Sequence, residues 1–159
     1  MKFVLAIATI VALFGIFTVE GTTAHASPSY ASYYSIYGPV ARQYARQYGI
    51  PENAFVAQIN MESGFNPNAV SPGGDKGIAQ ISPGTVIAWG VNPFNPYAAL
   101  NAAAYHMALY KREFGGDYRK AIAAYNSGEG TVQWAIRRCG GNWFVCMPGG
   151  VQRYVNAIY

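Results

Sequence analysis

Apolar and polar positions divide the chain into two unequal parts. Met1-Lys2 lead into Phe3–Val19, an almost unbroken apolar run, and Ala24-His25-Ala26 follow. A basic start, an apolar stretch and small residues describe an export signal over residues 1–26, cleaved before Ser27. The run approaches the roughly 20 residues of a spanning helix, so an uncleaved anchor is the alternative. Residues 27–38 carry Tyr30, Tyr33, Tyr34 and Tyr37, a tyrosine-rich lead-in expected to pack on the domain surface. Helical spacing then takes over, in a domain of residues 39–159. Pro39 to Tyr48 reads as a helix with proline in its first turn and Gly49 past its end. Pro51 opens a second helix, which Gly64 and Pro67 stop. In that helix Glu62 follows Phe55 by seven residues and Ile59 by three. These spacings put a carboxylate on an apolar helix face.

Residues 66–83 are broken by Pro67, Pro72, Gly73, Gly74, Gly77 and Pro83, and read as a loop. Gly84 to Trp89 is a short predicted helix. Asn95 caps a long one from Pro96, with Leu100, Ala103, Met107, Tyr110 and Phe114 as its core stripe. His106 lies one step off that stripe and reads as a structural side chain. Asp117 caps a helix through Ala121, Ile122 and Tyr125, and Thr131 caps another running to Arg138. Pro148 opens the last, with Val151, Tyr154, Val155 and Ile158 on one face. Neither a strand-like alternation nor an internal repeat is present. The pattern predicts a mostly α single domain with long loops between its second and fourth helices, where function concentrates.

Composition narrows the class. With 159 residues, 52% apolar and 11% charged, the chain is long enough for one compact core. The net charge is +4, and losing Lys2 and Glu20 with the signal leaves it unchanged. The bases come as separated pairs, Lys111-Arg112, Arg119-Lys120 and Arg137-Arg138. Two of these pairs lie near predicted helix C-termini, which favour cations. No nucleic-acid surface is expected, whereas a mild positive balance suits an anionic polymer such as a bacterial cell wall. Cys139 and Cys146 are too few for a zinc site. In an exported chain they read as a disulfide, with two buried free thiols as the competing possibility. Only His106 remains after the signal, which excludes a His-rich metal site. A buried or half-buried carboxylate such as Glu62 is costly unless it is paired or does chemistry.

Three segments carry the chemistry: Glu62-Ser63 through Ser71, then Gly77-Ile78-Ala79-Gln80-Ile81, and Ala124-Tyr125-Asn126-Ser127-Gly128. Together, in order and at matching spacing, they resemble the soluble lytic transglycosylase family, lysozyme-like enzymes that cleave peptidoglycan. The resemblance extends through Asn95-Pro96 to Tyr154-Val155 and Ile158. It implies a lysozyme-like fold with loops around an active-site cleft, no metal or organic cofactor, and peptidoglycan glycan strands as the partner. It also implies a monomer secreted or held in the periplasm or cell wall, without stable membrane association once the signal is cleaved. Glu62 would be the single catalytic acid and base. Burial on an apolar face and a position at a helix C-terminus both keep a carboxyl protonated, as leaving-group protonation requires.

By position, Ser63 and Ser71 would orient Glu62 or the substrate's N-acetyl group. Gln80 and Asn126 would hydrogen-bond the sugar, Tyr125 would help set the state of Glu62, and Tyr154 would line the cleft. Three departures stand out. Ala79 and Ser82 occupy positions where the family often carries methionine, Asp75-Lys76 replace a small residue before Gly77, and Gly150-Val151 replace a Glu-Thr pair. Asp75 is a candidate second carboxylate that would make the enzyme a hydrolytic muramidase. A non-catalytic wall-binding protein and an enzyme acting on chitin are also compatible with the pattern.

Overall fold

The computed structural model describes residues 29–159, so the export-signal expectation for residues 1–26 lies outside the described residues. Seven α-helices follow: α1 Tyr30–Gln47, α2 Glu52–Ser63, α3 Pro83–Trp89, α4 Pro96–Glu113, α5 Tyr118–Ser127, α6 Glu129–Cys139 and α7 Gly149–Ile158. A 3-10 segment, Gly140–Cys146, joins α6 to α7. Among the described residues there is no strand beyond the isolated bridges Val70–Lys76 and Lys76–Ile81. None of the described helices is long and apolar enough to cross a membrane.

The helix that carries Glu62 lies in the middle of the core. Phe55 and Ile59 of α2 are fully buried, and α2 packs against α1, which buries Ala41 and Ala45, and against α7, which buries Val151 and Val155. Leu100, Ala103 and Met107 of α4 close the core against α1 and α5, as the predicted stripe required. Alanines at these crossings let the helix axes approach closely. The predicted caps hold at two helices. Asn95 Oδ1 accepts from Ala98 N, and Asp117 Oδ1 accepts from Lys120 N.

Two boundaries differ from the sequence reading. The tyrosine-rich lead-in is not a separate segment, because α1 starts at Tyr30 and Pro39 lies inside it. The residue before this proline is Gly38, which has no Cβ to clash with the ring, and its bareness also admits the Tyr34 ring. Tyr34 and Tyr30 then pack on Phe65, with Tyr34 edge-on at 5.3 Å between centroids. Thr131 does not cap α6. The helix begins two residues earlier, after Gly128 at φ 81°, and the Thr131 hydroxyl donates to Ser127 O at 2.7 Å.

Cys139 and Cys146 form a disulfide that ties the 3-10 segment back onto α6. The Arg119-Lys120 pair, in the first turn of α5, holds the same segment. Arg119 lies over the Phe144 ring at 4.4 Å and Lys120 over Trp143 at 5.6 Å. Replacing both cysteines by serine should cost about 2–3 kcal/mol, from the chain entropy of the closed loop. A urea-unfolding midpoint equal to the parent's would contradict this.

Candidate active site

The end of α2 and the loop after it build a cleft of about 320 Å³. Glu62 is the penultimate residue of α2, whose C-cap Gly64 sits at φ 60°. Its side chain opens into the cleft yet stays mostly buried. Burial is the main cause that pushes its carboxyl up from 4.5 to about 7. The nearby Asp75 charge adds to the rise, and the hydrogen bond from Tyr154 opposes it.

Tyr154 does not line the cleft as the sequence reading expected. It is absent from the cleft lining, and from α7 its hydroxyl donates to Glu62 Oε1. A phenol that donates to a carboxylate favours the ionised form. Tyr154→Phe should therefore raise the Glu62 pKa above its present value, moving the alkaline fall in kcat/KM to higher pH. The lost orientation of the carboxyl should also lower kcat about tenfold. A pH–rate profile superimposable on the parent's would rule out this coupling.

The loop from 64 to 82 is held by its own backbone. Ser71 N donates to Asp75 O at 2.9 Å, Gly77 N to Ala69 O at 2.8 Å, and Lys76 and Ile81 exchange bonds at 3.1 and 3.0 Å. Gly77, Ile78, Ala79 and Ile81 are buried, so this stretch is a wall of the molecule as much as a loop. Ser63 Oγ donates to Ile78 O at 2.6 Å, which fastens the wall to the end of α2. Tyr125 fastens it from the other side, its hydroxyl donating to Ala79 O at 2.7 Å. Burial is the largest cause raising the Tyr125 phenol, with the nearby Glu62 charge next, so it remains a neutral donor.

The remaining predicted residues divide by access. Gln80, Asp75, Tyr125 and Asn126 face the cleft with Glu62, whereas Ser63 and Ser71 do not. Ser71 Oγ is committed to Asp75, donating to its Oδ2 at 3.1 Å and accepting from its backbone N–H at 3.0 Å. Gln80 Nε2 donates to Gly77 O at 2.9 Å and Ala69 O at 3.3 Å, which leaves its Oε1 as an acceptor. Gln80 (φ 46°) and Phe65 (φ 64°) are the non-glycine residues with left-handed backbone among those described. Such strain concentrates at functional sites, and here the two bound the 66–79 loop, with Gln80 lining the cleft and Phe65 buried in the core. Among the described residues no group of three or more His, Cys, Asp or Glu side chains could hold a metal ion.

Sequence reasoning missed Thr85, Trp89 and Tyr110, which line the cleft together with Glu62. Trp89 stacks flat on His106, with ring centroids 3.9 Å apart and 8° between planes. Burial lowers the His106 pKa, so the imidazole is neutral near pH 7. Trp89, a lone large aromatic ahead of Gly90 in a loop-rich stretch, was the signal that could have found this wall.

Comparison with known proteins agrees with this geometry. A family model described as "Transglycosylase SLT domain" matches residues 39–142. The chain is 34% identical over 108 residues to membrane-bound lytic murein transglycosylase D of Escherichia coli strain K12, covering 60% of this chain and 24% of that protein. It is 40% identical over 79 residues to peptidoglycan transglycosylase gp16 of Escherichia phage T7, covering 45% of this chain and 6% of that one. The chain thus spans a quarter or less of these relatives. Among solved structures, the 70 kDa soluble lytic transglycosylase of Escherichia coli superimposes with a TM-score of 0.67 at 25% identity, over 77% of this chain and 22% of that one. The fold is therefore lysozyme-like as well as mostly α.

Proposed function

The chain belongs to the transglycosylase SLT domain family, and on that premise we propose that it is a peptidoglycan lytic transglycosylase with Glu62 as its single acid and base. It would cut the β-1,4 bond between N-acetylmuramic acid and N-acetylglucosamine. The observation that carries this reading is a mostly buried carboxyl at a helix C-terminus in a cleft, pushed up to about 7 and held by a phenol. Such a group is protonated often enough near neutrality to act as an acid, and ionised readily enough to act next as a base.

The reaction needs no water. Glu62 gives its proton to the bridging oxygen as the bond to the muramic acid C1 breaks. The N-acetyl carbonyl of the same sugar bonds to C1, a substrate-assisted route. The Glu62 carboxylate then takes the proton of the C6 hydroxyl. The freed oxygen attacks C1, displaces the acetamido oxygen and leaves a 1,6-anhydro end, with Glu62 protonated again. The free Gln80 Oε1 and the exposed Asn126 amide suit the N–H, hydroxyl and carbonyl groups of such a sugar. Ser63 and Ser71 would act at one remove, through the wall at Ile78 and through Asp75. The substrate lies outside the cytoplasm, which fits the export signal read in residues 1–26, and one chain supplies every group used.

Asp75 supports a second reading, because it faces the same cleft as Glu62. A carboxylate there could hold a water for hydrolysis. Mass spectrometry of digested cell walls separates the two. We expect anhydro-muramic ends, and an Asp75→Asn variant that still makes them within a few-fold of the parental rate. Ordinary reducing-end muramic acid alone, lost in Asp75→Asn, would replace transglycosylation with hydrolysis.

A further inference from the structure

Trp89 takes no part in the proton transfers, yet it occupies the cleft. It is half-buried, packed against the edge of the core on a helix that contributes no fully buried residue. The indole lies against a built backing. His106 covers it at 3.9 Å and 8°. Tyr105 meets that imidazole edge-on at 5.2 Å, Tyr48 meets Tyr105 at 5.6 Å, and the Tyr48 hydroxyl donates to Asn101 Oδ1 at 2.8 Å. One face of the indole is thus backed by His106 and Tyr105 of α4, with Tyr48 from the end of α1 behind them, while the side chain remains part of the cleft surface. A π face carries partial negative charge, and the C–H groups on one side of a pyranose ring carry partial positive charge, so the two are complementary. A rigid aromatic wall with a few polar groups opposite it suits an uncharged sugar unit.

The position is informative as well. The Trp89 and Tyr125 ring centroids are 6.3 Å apart, and both side chains line the same cleft as Glu62. A sugar resting on Trp89 is therefore adjacent to the bond presented to Glu62. We propose that Trp89 is a sugar-stacking platform, on which an N-acetylhexosamine ring next to the cleaved bond lies with its C–H face on the indole and His106 locked behind it. This rests on the peptidoglycan reading of the same cleft.

The test uses a Glu62→Gln chain, which binds without turnover, and a tetrasaccharide of alternating N-acetylglucosamine and N-acetylmuramic acid. The chain holds 3 tryptophans, so 5-fluorotryptophan labelling gives a resolvable fluorine spectrum in which Trp89→Phe identifies the Trp89 signal. The tetrasaccharide should shift that signal while those of Trp134 and Trp143 stay in place. Trp89→Leu should weaken binding about tenfold, the upper end of one aromatic contact, whereas Trp89→Phe retains most of the affinity. If the tetrasaccharide binds without moving the Trp89 signal, or Trp89→Leu binds like the parent, the platform is wrong and the peptidoglycan reading survives. If the labelled parent does not bind the tetrasaccharide and active protein leaves cell walls intact, both fail together. The fluorine result stands even if Trp89→Leu fails to fold.

Discussion

Glu62→Gln should reduce wall-cleaving activity by at least a thousandfold while making the protein more stable at alkaline pH. The activity loss follows because one group is used twice. Removing it takes away leaving-group protonation and deprotonation of the attacking hydroxyl, each step of a kind that contributes roughly 10²–10⁴-fold. The stability gain follows from linkage. The carboxyl is raised from 4.5 to about 7 in the folded chain, so the native state binds the Glu62 proton more tightly than the unfolded state. Its contribution to stability is complete below about pH 4.5 and is lost as pH rises through about 7. The shift corresponds to roughly 3 kcal/mol, withheld from the parent at pH 8. Glutamine is neutral throughout and escapes that loss. Thermal unfolding should therefore give similar midpoints for parent and variant at pH 4.5 and a higher midpoint for the variant at pH 8. Full activity in Glu62→Gln, or equal midpoints at both pH values, would remove Glu62 from its role.

Glu62 was legible from the sequence because its position depends on a local rule. Phe55, Ile59 and Glu62 share one helical face whatever the rest of the chain does; Phe55 and Ile59 are fully buried in α2, and Glu62 continues that face into the cleft. The same rule found the α4 stripe and the Asn95 and Asp117 caps. What stayed hidden depends on contacts between distant residues. The Tyr154 hydroxyl reaches Glu62 across 92 positions, and periodicity says only that Tyr154 shares a face with Val151, Val155 and Ile158. The Trp89–His106 stack joins two helices in the same way. Pro39 misled for a different reason. Proline in a first turn is a sound start signal, but Gly38 before it removes the clash that normally ends a helix, so α1 continues to Tyr30. Its tyrosines then cover Phe65, three residues past Glu62.

Gly77→Ala should be the most destabilising single methyl addition in the domain. The glycine has φ +74°, and a Cβ built on it would stand 1.8 Å from the carbonyl oxygen of Pro93. The obstacle is backbone, with no flexible side-chain end to turn aside. Two costs therefore add. A left-handed conformation costs alanine about 1 kcal/mol, and relieving the overlap requires the wall or the Pro93 turn to move, at a further ~3 kcal/mol. The displacement should also reach the cleft. Gly77 N is bonded to Ala69 O, Gly77 O holds the Gln80 amide, and Ser63 and Tyr125 grip the carbonyls of Ile78 and Ala79. A shift at residue 77 therefore moves the wall that carries Gln80 and is tied to both Ser63 and Tyr125. We expect an unfolding free energy lower by about 4 kcal/mol, and activity that stays below the parent's even at temperatures where the variant is fully folded. Alanine at neighbouring Gly84, where nothing stands within 4 Å of the added carbon, should leave both within error. Parental stability in Gly77→Ala would show that the Pro93 turn yields freely, and that the wall beside Glu62 is not fixed by this contact.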